Sequence, residues 1–211
     1  MNISFIGYGN VGAPLADRLQ RLGHTVTLAA RDPGSESVAK VLARNPALRV
    51  ASPADAVRES EVIFLATPFQ ANEAALSGVA AELKGKVLVD CTNPVARGLR
   101  HGLESKQSGT EQIQAMLPDT RVVKAFTIYG AENFEDSAYP GYSVKPVMLH
   151  CGNDPAAKET VAHLIEQLGF EPFDVGGAEQ ALHLEHMTLL WVRMVRAQGR
   201  SPGLVWAALK R

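Results

Sequence analysis

Short apolar runs alternate along this chain with polar stretches whose apolar residues recur at helical spacing, the pattern of successive strands and helices. An apolar run over residues 3–6 is followed by a helical pattern over 11–22 and a second strand over 24–29. Residues 48–51 predict a third strand and 53–60 a short helix. Residues 61–67 contain Val62-Ile63-Phe64-Leu65-Ala66, a nearly continuous apolar run of the kind a parallel strand buried on both faces shows. Pro68 closes that strand, 70–83 predicts one helix, and 86–90 a fifth strand. Residues 96–108, rich in Gly, Arg and Ser, read as irregular. Ser108 and Glu111 then form a capping-box pattern that opens a helix through 117, and 121–126 is a sixth strand. Beyond residue 130 the pattern changes. Residues 132–142 are loop-like, followed by a strand over 147–151, a helix over 155–168, a strand over 170–174, a long helix over 178–198 and a short helix over 204–209.

The first strand runs directly into Gly7-Tyr8-Gly9-Asn10-Val11-Gly12 and then into a helix, which is the dinucleotide-binding fingerprint in its proper context. Gly7 permits the tight turn, Gly9 lets backbone approach a pyrophosphate, and Gly12 lets the helix pack closely. Amides at the helix start face the anion. At the end of the second strand, where an acidic residue commonly binds the ribose 2′-OH, the chain reads Ala29-Ala30-Arg31-Asp32. The guanidinium of Arg31 suits the 2′-phosphate of NADP(H). Asp32 is the competing ribose ligand, and Ser35 and Lys40 are further phosphate candidates, Lys40 equally an exposed helix position.

This order of elements predicts an α/β fold, a doubly wound, mainly parallel sheet. Residues 1–130 form the nucleotide-binding unit, and 131–211 a small C-terminal α/β extension packed on the same core. Ligands are expected outside the carboxyl ends of the strands, which points to Thr67-Pro68-Phe69, Cys91-Thr92-Asn93-Pro94 and Thr127-Ile128-Tyr129-Gly130.

Composition narrows the classes. With 46% hydrophobic residues in 211 the chain can bury a sizeable core. A net charge of −1 with mixed signs excludes a basic nucleic-acid stripe. No run approaches a membrane span and no leader pattern opens the sequence, so a cytoplasmic protein is expected. Two cysteines, Cys91 and Cys151, are too few for a disulfide scaffold. His183 and His186 flank Glu185 on the long C-terminal helix, but two histidines on a partly apolar helix predict packing, and no metal is expected. Cys91, at a strand end, reads as a small buried thiol with a redox role as the alternative. Trp191 with Leu189, Leu190, Val192 and Val195 predicts a core or homodimer contact.

The glycine motif, Ala30-Arg31-Asp32, Ala66-Thr67-Pro68, Thr92-Asn93-Pro94, Val122-Val123-Lys124-Ala125-Phe126, Cys151-Gly152-Asn153-Asp154 and the segment 168–176 together resemble the NADPH-dependent coenzyme F420 oxidoreductase family, in order and nearly end to end. The set is also similar to the oxidoreductase domains of the membrane-bound metalloreductases. The resemblance implies NADPH across the strand ends and a deazaflavin (coenzyme F420) or flavin (FMN or FAD) as a small-molecule redox acceptor. Hydride then passes directly between the rings with no catalytic side chain, since the cofactors carry the reactive atoms. It further implies that Tyr8, Gly9, Asn10 and Val11 contact the pyrophosphate and ribose, Arg31 the 2′-phosphate, and Thr67, Pro68 and Phe69 the adenosine side. Asn93 and Pro94 would border the nicotinamide and the second ring, and Pro94, Thr127, Tyr129 and His186 the acceptor pocket. Thr127 stands where the family commonly has Asn or His, and Tyr129 and Gly130 where Ile and Pro are usual. Two other readings stay open: reduction of a small C=O or C=N substrate, although such enzymes carry a longer helical C-terminal domain, and a nicotinamide-binding redox sensor without turnover.

Overall fold

A computed structural model describes residues 1–209 and Arg211. The first half is a regular succession: β1 (Asn2–Ile6), α1 (Gly12–Arg21), β2 (Thr25–Ala29), α2 (Glu36–Arg44), β3 (Arg49–Ala51), α3 (Pro53–Glu59) and β4 (Val62–Leu65). After β4 come two short helices, α4 (Asn72–Leu76) and α5 (Ala80–Leu83), then β5 (Val87–Asp90), a small hairpin of β6 (Val95–Ala96) and β7 (Arg100–His101), α6 (Gly109–Met116) and β8 (Arg121–Lys124). The chain ends with α7 (Glu132–Glu135), β9 (Val147–Gly152), α8 (Pro155–Gln167), β10 (Glu171–Asp174) and α9 (Ala181–Val192), which a π-helical turn (Arg193–Ala197) prolongs.

One eight-stranded sheet has the order β10-β9-β8-β5-β4-β1-β2-β3. All its neighbours are parallel except β8 and β9. The chain winds outward in both directions from β1 and β4, so a crevice opens at the carboxyl ends of those two strands. Every residue of β4 and β5 is buried, as helices on both faces require. Phe5 and Phe64 stack at 4.7 Å between centroids, and Phe126 leans on Phe64 at 5.6 Å. The same apolar cluster continues through Phe134, Leu164 and Trp191, so residues on both sides of position 130 share one core.

Helix starts follow local chemistry. Ser52 accepts from Asp55 N, and Asp154 from Ala157 N at 2.7 Å ahead of Pro155 at the first helical position. The capping box of Ser108 and Glu111 is present at α6.

Four local expectations are corrected. The single helix expected over 70–83 is broken into α4 and α5 with 3-10 turns at Phe69–Ala71 and Ser77–Val79; Gly78 lies in the second turn, where a helix interior is weakest. The irregular stretch 96–108 contains the β6–β7 hairpin, and the loop 132–142 contains the single turn α7. The helix expected over 204–209 does not form. There the Leu204 carbonyl accepts from the Trp191 indole, the Trp206 carbonyl from Val147 N, and the Trp206 indole donates to Ile128 O. Tertiary hydrogen bonds thus replace the helical ladder. The sequence pattern places Lys40 on a helix but gives no bounds for α2, because its short apolar face of Val38 and Val41 is flanked by polar residues.

Candidate functional site

The turn after β1 is built for close approach. Gly7 has φ +91°, and a Cβ placed on it would lie 2.6 Å from the Ala66 backbone. A Cβ on Gly12 would lie 2.2 Å from the Gly7 carbonyl oxygen, so α1 seats directly against the turn. A Cβ on Gly9 meets nothing within 4 Å. That glycine therefore serves open space, the condition under which a ligand reaches the backbone. No side chain caps the start of the ten-residue α1; Ala13 N donates to Gly9 O at 2.9 Å, and the amides just ahead of it are left available to an anion.

A cleft of about 650 Å³ beside this turn is lined by Gly7, Tyr8, Gly9, Arg31, Thr67 and Pro68, along with Ser37 and residues of α3 and the 74–79 segment. Arg31 is exposed and has no side-chain partner among the described residues, whereas Oδ1 of Asp32 accepts from Gly34 N at 2.9 Å. The turn thus occupies one carboxylate oxygen of Asp32 and leaves the guanidinium free. Asn10 and Lys40 line an adjoining groove of about 620 Å³ that shares Tyr8, Gly9 and Ser37 with the cleft. Val11 is the residue before the first turn of α1, and Phe69 stands apart, its ring against Gly109 at the start of α6.

Past β5 and β8 the chain carries two unpartnered buried polar atoms, Asn93 Oδ1 and Thr127 Oγ1. Thr127 follows Phe126, a buried residue at φ +55°; strain of this kind, about 1–3 kcal/mol, gathers at functional sites. Orphaned acceptors and hydroxyls beside strand ends fit a ligand carboxamide, which offers both a donor and an acceptor. The residues present therefore fit a nicotinamide nucleotide.

Pro94 O accepts from Gly102 N at 2.6 Å, pinning the strand tip to the β6–β7 hairpin. That hairpin and α9 enclose a separate groove of about 770 Å³ lined by His101, Ser105, His186, Leu189, Leu190 and Arg193 among others. His186 is here, its Nε2 2.9 Å from Ser105 Oγ. Tyr129 is not: it is buried in the core against Phe134 and Phe170, its hydroxyl donating to Val147 O at 3.1 Å. Tyr129 thus supports the start of β9 and lines none of the grooves described here. Trp191 is likewise core, while Leu190 beside it is half exposed.

Sequence reading missed the most elaborate feature. Under the strand tips, Lys124 Nζ lies 3.1 Å from Asp90 Oδ2 and 3.1 Å from Glu185 Oε1 and donates to Thr92 O at 2.5 Å. Glu185 Oε1 also accepts from Gly109 N, and its Oε2 is 2.7 Å from His101 Nε2. Asp90 Oδ1 accepts from the Thr92 amide and hydroxyl, and Oδ2 from Thr110. Thr92 in turn accepts from Asn72, and Asn72 accepts from Thr67. The chain of bonds therefore runs from Thr67 in the 650 Å³ cleft to His101 in the 770 Å³ groove. Lys124, Asp90 and Glu185 are at most 1% exposed. Burial alone would lower the Lys124 ammonium; the carboxylates of Asp90 and Glu185 overcome this and hold it above its ordinary value.

Burial and then the Asp90 charge push the Cys91 thiol well above the ordinary range, so it stays protonated and unreactive. No group of three or more His, Cys, Asp or Glu suited to a metal occurs among the described residues, and no helix of these residues is long and apolar enough to cross a membrane.

The family model described as NADP oxidoreductase, coenzyme F420-dependent, matches residues 2–94. The chain is 30% identical to the F420-dependent NADP reductase of Methanothermobacter marburgensis over 213 aligned positions, covering 94% of each. The chain belongs to the coenzyme F420-dependent NADP oxidoreductase family. In keeping with that family, it superposes with a TM-score of 0.82 on a crystal structure from Arthrobacter sp. FB24 assigned as an F420-dependent NADP reductase, at 32% identity over 94% of this chain and 95% of that one. It is also 31% identical over 89% of its length to rat Metalloreductase STEAP3, of which it spans only 36%. As a member of the family the chain is an NADP-dependent oxidoreductase.

Proposed function

We propose that this protein uses NADPH to reduce a deazaflavin such as coenzyme F420, or a flavin of the FMN or FAD type. When bound, the nicotinamide supplies a hydride, and the acceptor ring takes it up together with a proton from solvent. Gly7, Tyr8 and Gly9 with Thr67 and Pro68 would shape the adenosine cleft. The backbone amides of Asn10, Val11 and Gly12 would grip the pyrophosphate at the start of α1, and Arg31 with Ser37 the 2′-phosphate. Asn93 and Thr127 would orient the carboxamide, and Pro94 would bound the ring. His186, with the apolar Leu189 and Leu190, would wall the acceptor groove.

The observation that carries this reading is the pair of buried, unpartnered atoms on Asn93 and Thr127, since such atoms cost about 1–3 kcal/mol each until a ligand pairs them. Residues 1–130 would then supply the nucleotide site and 131–211 one wall of the acceptor groove.

Mixing the protein with NADPH and a panel of F420, FMN, FAD, quinones and small carbonyls or imines, while following the reduced nicotinamide absorbance, tests the assignment. Oxidation by F420 or a flavin is expected. Oxidation only by a small carbonyl or imine would replace the acceptor class, and binding without any oxidation would indicate a redox sensor.

A further inference from the structure

The buried ion cluster is unbalanced. Both oxygens of Asp90 and both of Glu185 face donors, Thr92, Thr110, Lys124, Gly109 and His101, a pattern that two ionised carboxylates satisfy in full. His101 is neutral: its Nδ1 faces the amides of Leu103 and Ser105, each at 3.2 Å, so Nδ1 is an acceptor and the single ring proton is on Nε2, donated to Glu185. Among the described residues, Lys124 is the one cation hydrogen-bonded within the cluster. Two negative charges and one positive leave one negative charge in a region cut off from solvent. The neighbouring Cys91 thiol is neutral. Glu104, Arg100 and Arg193 on the adjacent groove face solvent, where screening weakens them.

This charge sits directly below the strand tips. Lys124 holds Thr92 O, the residue before Asn93, and the Thr67–Asn72–Thr92 bonds tie the cluster to the cofactor cleft. A nicotinamide ring is neutral when reduced and carries one positive charge when oxidised, so a fixed negative charge beneath it distinguishes the two forms.

We propose that the buried Asp90–Lys124–Glu185 cluster, through its net formal charge of one negative unit, makes the site favour the oxidised, cationic nucleotide and so poises the bound dinucleotide as a hydride donor. The inference rests on the nucleotide placement of the preceding subsection. In balance, NADPH, acceptor and one proton give NADP⁺ and reduced acceptor, and the cluster stabilises the charge that appears on the nicotinamide as the hydride leaves. Asp90 and Glu185 are positioning residues in this scheme; neither exchanges a proton with the reactants.

Dissociation constants for NADP⁺ and NADPH, measured by calorimetry on the wild-type protein and on Glu185→Gln, Asp90→Asn and His101→Gln, test this without reference to turnover. Either charge-removing variant is expected to weaken NADP⁺ by on the order of tenfold while shifting NADPH by less than about twofold. His101→Gln, which disturbs the same hydrogen bonds without changing charge, is expected to leave the ratio of the two constants unaltered. An unchanged ratio in folded Glu185→Gln and Asp90→Asn, or an equal shift in His101→Gln, overturns the electrostatic role and leaves the cofactor assignment standing. Should neither charge variant fold, the wild-type ratio decides, with NADP⁺ bound at least as tightly as NADPH expected and a preference for NADPH overturning the inference. Failure of the wild-type protein to bind either form removes the cofactor assignment and this inference together.

Discussion

Replacing Lys124 by methionine isolates what the buried ammonium contributes. The side chain is fully buried and bonded to Asp90, Thr92 and Glu185. Methionine fills a similar volume, so the cavity contribution is small. Both carboxylates lie 3.1 Å from the same nitrogen and hence no farther from each other than twice that distance. At a separation of ~6 Å and an effective dielectric of ~20, their bare repulsion comes to about 3 kcal/mol. Breaking buried pairs in general costs about 3–5 kcal/mol, and that is the destabilisation expected at neutral pH. Urea unfolding at neutral pH, followed by the fluorescence of Trp191 and Trp206, measures it. A deficit below about 1 kcal/mol, no more than a surface ion pair gives, would refute the reasoning.

Three other outcomes are expected. Arg31→Ala should weaken NADPH by about 1.5–3 kcal/mol, the loss of a charged hydrogen bond, and leave NADH nearly unchanged; parallel weakening of both in a fluorescence titration would detach Arg31 from the 2′-phosphate. Gly12→Ala places a methyl 2.2 Å from the Gly7 carbonyl oxygen, and because that atom is backbone the turn must move; a stability loss of about 1–3 kcal/mol with weakened nucleotide binding is expected, and a variant that melts and binds like wild type would contradict the packing. Cys91 and Cys151 are both buried, with burial pushing the Cys151 thiol up to about 12; neither should react with a thiol-disulfide reagent in the native protein, while two thiols should react once it is denatured, and rapid labelling of either in the folded state would show the core to be open.

The sheet was legible because its signals are local. Continuous apolar runs such as Val62–Leu65 mark strands covered on both faces, and caps such as Ser108 with Glu111 mark helix starts within four residues. Prediction failed where distant groups override local preference. Residues 204–209 have enough apolar content for a helix, yet hydrogen bonds with Val147, Ile128 and Trp191 hold them otherwise. Tyr129 stands next to a predicted strand end and so reads as a pocket residue, but three rings of the core, Phe134, Phe170 and its own, are arranged to bury it.

The same contrast explains why the glycine turn was visible in the sequence and the ion cluster was not. Gly7, Gly9 and Gly12 are recognised because a single backbone turn needs all three at fixed spacing. Asp90, Lys124 and Glu185 are separated by 34 and 61 positions and belong to three elements, so no spacing rule joins them. Each also imitates something ordinary: Lys124 ends an apolar strand as a solvated lysine would, and Glu185 sits between two histidines as though facing water with them. The helix instead turns Glu185 inward while His183 and His186 remain exposed. A charge that folding confines at a strand end is costly unless paired, and here pairing is incomplete by one. A residual charge of that kind, held below the strand tips that carry the unpartnered atoms of Asn93 and Thr127, adds nothing to the stability of the fold by itself; on the proposed reading its effect falls on whatever charged or neutral form of a ligand occupies the space above it.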